Sequence, residues 1–224
     1  MYAAEPLLIA AASDLAPLTS ALEGGFARAS NVKVRFTLAS SGSLARQIES
    51  GAPYDVLLSA SEQYVRDLAR SGAVDAATVT IYAQGRIALW SPDGAVRALA
   101  DLARPDVQHI AIANPEHAPY GMAARQMLER RGLWKQVSPK LVYAENVRQA
   151  LQFAESGNAE AVITSWTLLK GRGALLPAEW HDPIRQTGAV VKGSAQAGDA
   201  RKFLAFLMSA AGRRILEDGG LFRP

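Results

Sequence analysis

Leu7-Leu8-Ile9-Ala10-Ala11-Ala12-Ser13-Asp14 decides how the fold is read. Six apolar residues without polar alternation form the pattern of a strand covered on both faces. Directly after them Leu15, Leu18, Leu22 and Phe26 recur at spacings of three and four, the stripe of a helix packed on one side. Ser13 or Asp14 is therefore the expected N-cap. A strand that stops where a helix starts leaves backbone N–H groups at the positive end of the helix dipole, a place suited to an anion. A lone junction of this kind asks for no more than a cap, so the case for function rests on its recurrence.

It recurs twice in the next sixty residues. Val32 to Leu38 alternates apolar and polar, a strand with one covered face, and runs into Ala39-Ser40-Ser41-Gly42-Ser43. Leu44 and Ile48 mark the helix that follows, closed by Gly51 and Pro53. Asp55-Val56-Leu57-Leu58 is the next strand and gives way to Ser59-Ala60-Ser61-Glu62, where Ser59 and Glu62 have capping-box spacing. Parallel strands joined by helices bring such turns to one edge of a sheet, the carboxyl edge, where open α/β sheets bind ligands.

Farther along, Arg86–Trp90, His109–Ala113, Leu141–Tyr143 and Glu160–Ile163 read as strands. Helical patterns lie around Leu99–Leu102, Ala124–Leu128 and Val147–Ala154. The tail begins with Gly188-Ala189-Val190-Val191 and ends in helices bearing Phe203, Phe206, Leu207, Ile215 and Leu216. Alternating strands and helices predict an α/β architecture. No linker composition marks a domain boundary.

The 224 residues are 49% hydrophobic and 20% charged, with a formal charge of +3, ordinary for a soluble domain. Arg130-Arg131 and Arg213-Arg214 are adjacent basic pairs not interleaved with aromatics, so no nucleic-acid partner is expected. The absence of cysteine excludes disulfides, thiolate metal sites and a cysteine nucleophile. No apolar run approaches the ~18 residues of a membrane span. Met1-Tyr2-Ala3-Ala4-Glu5 has neither a basic n-region nor a long h-region, so the chain as given carries no export signal. It reads as cytoplasmic, or as a mature exported protein with its leader replaced by a start codon.

A family resemblance is carried by Ala11-Ala12-Ser13, the block Ser41-Gly42-Ser43-Leu44-Ala45-Arg46-Gln47-Ile48, Gly51-Ala52-Pro53-Tyr54-Asp55-Val56, Ser59-Ala60, Asn114-Pro115-Glu116-His117-Ala118-Pro119-Tyr120-Gly121 and Ser138-Pro139-Lys140-Leu141. In this order, over essentially the whole chain, the sequence resembles the periplasmic molybdate-binding proteins of bacterial molybdate ABC transporters. The resemblance implies a two-lobed periplasmic-binding-protein type II fold. Each lobe is a mixed sheet flanked by helices, with the ligand in the interlobe cleft. It implies lobe one over residues 1–82 plus 188–224 and lobe two over 83–187. It also implies a periplasmic monomer that captures molybdate or tungstate, hands it to a membrane permease and uses no cofactor.

Carried over residue by residue, the implied oxyanion donors are the hydroxyl and N–H of Ser13, the same groups of Ser41, the N–H of Ala60, the Tyr120 region and the N–H of Val147. Molybdenum is held as molybdate by these groups, with no residue as a direct cation ligand. Many members of the family carry a tyrosine where this chain has Thr164, and some have a small residue where it has Tyr120. The expectation is that the Tyr120 phenol supplies the donor that Thr164 cannot.

Fully deprotonated molybdate, tungstate and sulfate suit a ring of donors without an acceptor, whereas protonated phosphate does not. Asp14 is accordingly expected to point away from the ligand and cap backbone N–H groups of its own helix. Arg46 is expected to face solvent or to stand behind the donors, and Trp90, Trp134, Trp166 and Trp180 to pack. Sulfate stays the main competing cargo, with phosphate behind it, and cavity radius cannot be read from sequence. The histidines give no metal spacing and no serine partner, and His117 beside Glu116 is the one suggestive pair, so no catalysis is expected. A regulator's sensing module shares the architecture but calls for a preceding helix-turn-helix, and six residues precede the first strand.

Overall fold

The computed structural model describes residues 5–169 and 171–224. In chain order the strands are β1 (Leu7–Ala12), β2 (Val34–Ala39), β3 (Val56–Ser59), β4 (Thr80–Gly85), β5 (Ile87–Trp90), β6 (Ile110–Ala113), β7 (Leu141–Ala144), β8 (Ala161–Ser165), β9 (Ala174–Leu175) and β10 (Ile184–Val190). The helices are α1 (Thr19–Ser30), α2 (Ser41–Glu49), α3 (Glu62–Ser71), α4 (Pro119–Arg130), α5 (Trp134–Val137), α6 (Val147–Glu155), α7 (Trp166–Leu169), α8 (Ala197–Met208) and α9 (Ala210–Asp218). They divide into two compact units, Met1–Gln84 with Arg185–Pro224, and Gly85–Ile184.

The first unit holds a sheet ordered β2-β1-β3-β10-β4, and the second a sheet ordered β7-β6-β8-β5-β9. In the first, β1 runs parallel to β2 and β3, and β10 returns antiparallel to β3. In the second, β6 runs parallel to β7 and β8, with β5 antiparallel to β8. Both sheets are mixed.

The unbroken apolar run of β1 follows from cover on both faces. Leu7, Ile9 and Ala11 join a core with Leu15, Leu22 and Phe26 on one side. Ala10 joins Leu44, Ile48, Val65 and Leu68 on the other. In the first of these cores Phe26 and Phe203 meet edge to face at 5.0 Å, the arrangement favoured by the ring quadrupoles. The four residues of the stripe after β1 are all buried, yet the helix does not start as one. Ser13–Leu18 is a 3-10 turn and the α-helix begins only at Thr19. Pro17 lies inside that turn, and its ring crowds the Ser13 carbonyl one α-turn back, which disfavours the α-helical form there.

Candidate functional site

In the first unit Ala12 is level with Ala39, and Ala11 with Leu58, in parallel register. The turns that follow β1, β2 and β3 therefore leave the same edge of the sheet, and they carry Ser13, Ser41 and Ala60. At the first turn the cap position is Ala12, so Ser13 and Asp14 lie inside the turn rather than at its cap, contrary to the expectation from sequence. Ser13 is 3% exposed.

At the second turn Ser40 is the cap, and its side chain accepts from the N–H of Ser43. Ser41, the next residue, is thereby relieved of capping. Its Oγ accepts the N–H of Ala60 at 3.0 Å within a buried contact. Two of the expected donors thus meet each other, and the Ser41 proton points onward from an oxygen that has already accepted. Such a hydroxyl is polarised and becomes a stronger donor.

The third turn departs from the capping box. Ser59 Oγ accepts from Ser61 N–H and donates to the Ser61 carbonyl, both at 3.0 Å, closing a local loop. The helix is capped at Ser61, which makes Glu62 its first residue. The Glu62 carboxylate accepts from Arg185 at 2.8 Å and from Arg66 Nε at 2.7 Å. Arg185 first, then Arg66, holds its pKa below the ordinary carboxylate value, so the acid nearest this edge stays ionised and paired.

Asp14 is fully buried, and its Oδ2 accepts from Gln186 Nε2 at 2.6 Å. The expectation was a carboxylate serving its own helix; it is instead engaged from β10. Gln186 Oε1 in turn accepts the Tyr82 hydroxyl at 3.0 Å. Burial, and then the Asp14 charge, pushes the Tyr82 phenol up, so it stays protonated and remains a donor. The chain Tyr82–Gln186–Asp14 ties β4 and β10 to the first turn. Sequence alone missed Tyr82 and Gln186, which lie 104 residues apart.

The second unit repeats the plan. Ala113 is level with Ala144, and Ile112 with Ile163, again in parallel register. The loop after β6, the turn after β7 and the end of β8 share one edge. Within the loop the Asn114 side chain accepts from Glu116 N–H and the Asn114 carbonyl from Ala118 N–H, both at 2.9 Å. Pro119 then opens α4, which puts Tyr120 in its first turn with 3% exposure. A Cβ on Gly121 would lie 2.0 Å from the Ala113 carbonyl oxygen, so only glycine lets α4 start this close to the end of β6.

At the turn after β7, the Asn146 side chain accepts from the N–H groups of Arg148 and Gln149 at 3.0 and 3.2 Å. The N–H of Val147, first in α6, lies outside that cap. Thr164, fully buried, donates to the Val147 carbonyl at 3.0 Å. Thr164 therefore anchors the helix start that carries Val147. His117 Nε2 stands 3.5 Å from Glu145 Oε2 and links the Tyr120 loop to the Val147 turn. Its acidic neighbour is thus Glu145, not the adjacent Glu116 that sequence singled out.

Arg46 is exposed and donates to Ser43 Oγ. Three of the tryptophans pack under arginines: Arg172 over Trp90, Arg125 over Trp134 and Arg131 over Trp180. Among the described residues no group of three or more His, Asp or Glu side chains is placed to hold a metal ion. The donors at both edges are hydroxyls and main-chain amides, a set that suits an oxygen-rich anion.

Comparison with known proteins adds four findings. A model of the bacterial extracellular solute-binding protein family matches residues 7–222. The molybdate-binding protein ModA of Rhodobacter capsulatus is 29% identical over 97% of this chain and 88% of its own. Among solved structures, the periplasmic molybdate-binding protein of Azotobacter vinelandii superposes with a TM-score of 0.92 at 29% identity, over 97% of this chain and 99% of its own. The substrate-binding domain of a putative molybdenum ABC transporter from Clostridium difficile gives 0.74 at 29% identity, over 98% and 99%.

Proposed function

The chain belongs to the bacterial extracellular solute-binding protein family, with the α/β architecture of type II periplasmic binding proteins, and on that premise we propose that it captures molybdate, and tungstate equally, for an ABC transporter permease. The donors in this reading are Ser13, Ser41 and Ala60 from one unit and Tyr120 and Val147 from the other. The reading is of a periplasmic, monomeric receptor that holds its cargo without a cofactor and performs no chemistry on it.

One observation carries this reading: in each unit separately, parallel register delivers uncharged donors to one carboxyl edge at successive strand–helix turns. A tetrahedral dianion stripped of water needs several oriented donors, since leaving it unpaired costs several kcal/mol. Hydrogen bonds to a charged group contribute about 1.5–3 kcal/mol each, and a helix start adds about 0.3–1 kcal/mol. Five such contacts support roughly sub-micromolar binding after ordering costs. The Ala60 N–H, donated to Ser41 Oγ, acts on the anion in this scheme through the Ser41 hydroxyl that it polarises.

Absence of an acceptor is what selects against protonated phosphate. Of the acids at this edge, Asp14 accepts from Gln186 through Oδ2 and Glu62 is paired with two arginines. Parallel calorimetric titration with molybdate, tungstate, sulfate and phosphate tests the reading. Saturable heat from the first two and little from the others is the expected result, and a preference for sulfate would transfer the protein to that cargo.

A further inference from the structure

Tyr120 is buried in the first turn of α4, and its phenol ends against a residue that has no side chain. A Cβ built on Gly85 would stand 2.2 Å from Tyr120 Oη, 2.9 Å from its Cζ and 3.2 Å from Ile184 Cγ2. Gly85 is not in the left-handed region, so its backbone accepts any residue and the demand for glycine there is purely steric. With Tyr120 3% exposed, the ring cannot swing into solvent to make room. Gly85 and Ile184 are also the two ends of the second unit, the points at which the chain leaves the first unit and returns to it.

From this packing we propose that Gly85 is a positioning residue for oxyanion capture: the missing Cβ at the end of β4 is the niche that sets the height of the Tyr120 hydroxyl. The inference rests on the reading of Tyr120 as an oxyanion donor and deepens it. Thr164 spends its hydroxyl on the Val147 carbonyl, so the phenol donor comes from position 120, and position 120 can hold a phenol only while position 85 is bare. Gly85 itself need not touch the ligand. A larger residue there displaces the ring and, with it, the donor.

The test is a double-mutant cycle on the full chain, with molybdate affinity read by calorimetry and folding by thermal melts. Tyr120→Phe is expected to weaken molybdate binding about tenfold or more, the worth of one hydrogen bond to a charged group. Gly85→Ala is expected to weaken it to a similar degree, and the double variant to bind within about twofold of the weaker single one, because both changes remove the same donor. The double variant should also melt higher than Gly85→Ala, since the atom closest to the new methyl group is gone.

Other outcomes separate the two readings. Wild-type affinity in Tyr120→Phe overturns the donor role of Tyr120, and this inference with it. Loss in Tyr120→Phe with full affinity in Gly85→Ala overturns the role of Gly85 alone, as do losses that multiply in the double variant. If Gly85→Ala does not fold, it is combined with Tyr120→Leu, which removes both close ring atoms; recovery of a cooperative melt upholds the niche, and continued misfolding overturns it.

Discussion

Ser41 Oγ accepts the Ala60 N–H inside a buried turn, so one oxygen serves a structural bond and, in the proposed site, a ligand bond. Ser41→Ala is expected to raise the molybdate Kd about tenfold or more and to cost about 1–3 kcal/mol of stability through the stranded Ala60 N–H. Calorimetry and a denaturant melt read the two effects separately. His181 carries a different liability. Its Nδ1 lies 2.7 Å from the Asp182 carbonyl, which fixes the proton there, and Nε2 is buried without a partner. Burial first, with Arg86 and Arg130 adding to it against Asp182, pushes its pKa below 6.5. A histidine with a lowered folded pKa leaves stability intact above its unfolded value and erodes it as the pH falls through the folded one. The melting temperature should therefore decline from about pH 6.5 downward, and His181→Asn should flatten that decline; an unaltered slope in the variant excludes His181 as the source. Local chemistry made the strand–helix turns at Ser13 and Ser41 readable from sequence. The partner of Asp14 was not, because Gln186 lies 172 residues away and only the sheet brings it near.

Among the elements, α4 depends most on a single absent side chain. Gly121 sets its first turn against the end of β6, and the atoms that a Cβ would meet are backbone, the Ala113 carbonyl oxygen at 2.0 Å and its carbon at 2.7 Å. Backbone cannot rotate away as a side-chain tip can. Gly121→Ala is accordingly expected to cost about 1–3 kcal/mol or more and to weaken molybdate binding by moving Tyr120; a melt and a titration indistinguishable from wild type would refute this. The turns after β1, β2 and β3 were legible because hydrophobic period changes abruptly at each of them. What stayed hidden has physical causes. Pro17 shortens the first turn to 3-10 without disturbing the apolar stripe. The spacing of Ser59 and Glu62 fits a capping box, yet Ser59 closes on Ser61 and the helix starts later. β4, Thr80-Ile81-Tyr82-Ala83-Gln84-Gly85, mixes polar and apolar residues without a clear period, so neither the strand nor Gly85 stood out.

For the whole molecule, the question is whether a bound oxyanion protects one core or both. Each unit has its own sheet and its own edge of donors, and a receptor that uses only one half-set would protect only one unit. Molybdate at about a hundred times its Kd should add about 2.7 kcal/mol of apparent stability, seen as a raised melting temperature that equimolar phosphate does not reproduce. Hydrogen exchange then locates the gain. If a single oxyanion accepts from Ser41 and Ala60 and also from Val147, protection should rise together at the starts of α2 and α3 in the first unit and of α6 in the second, over one range of molybdate concentration. The amide of Val147 is the sharpest reporter, because the Asn146 cap serves the two N–H groups after it and not this one. Protection confined to the first unit would mean that Tyr120 and Val147 do not bind, and the anion would then be held by the serine turns alone.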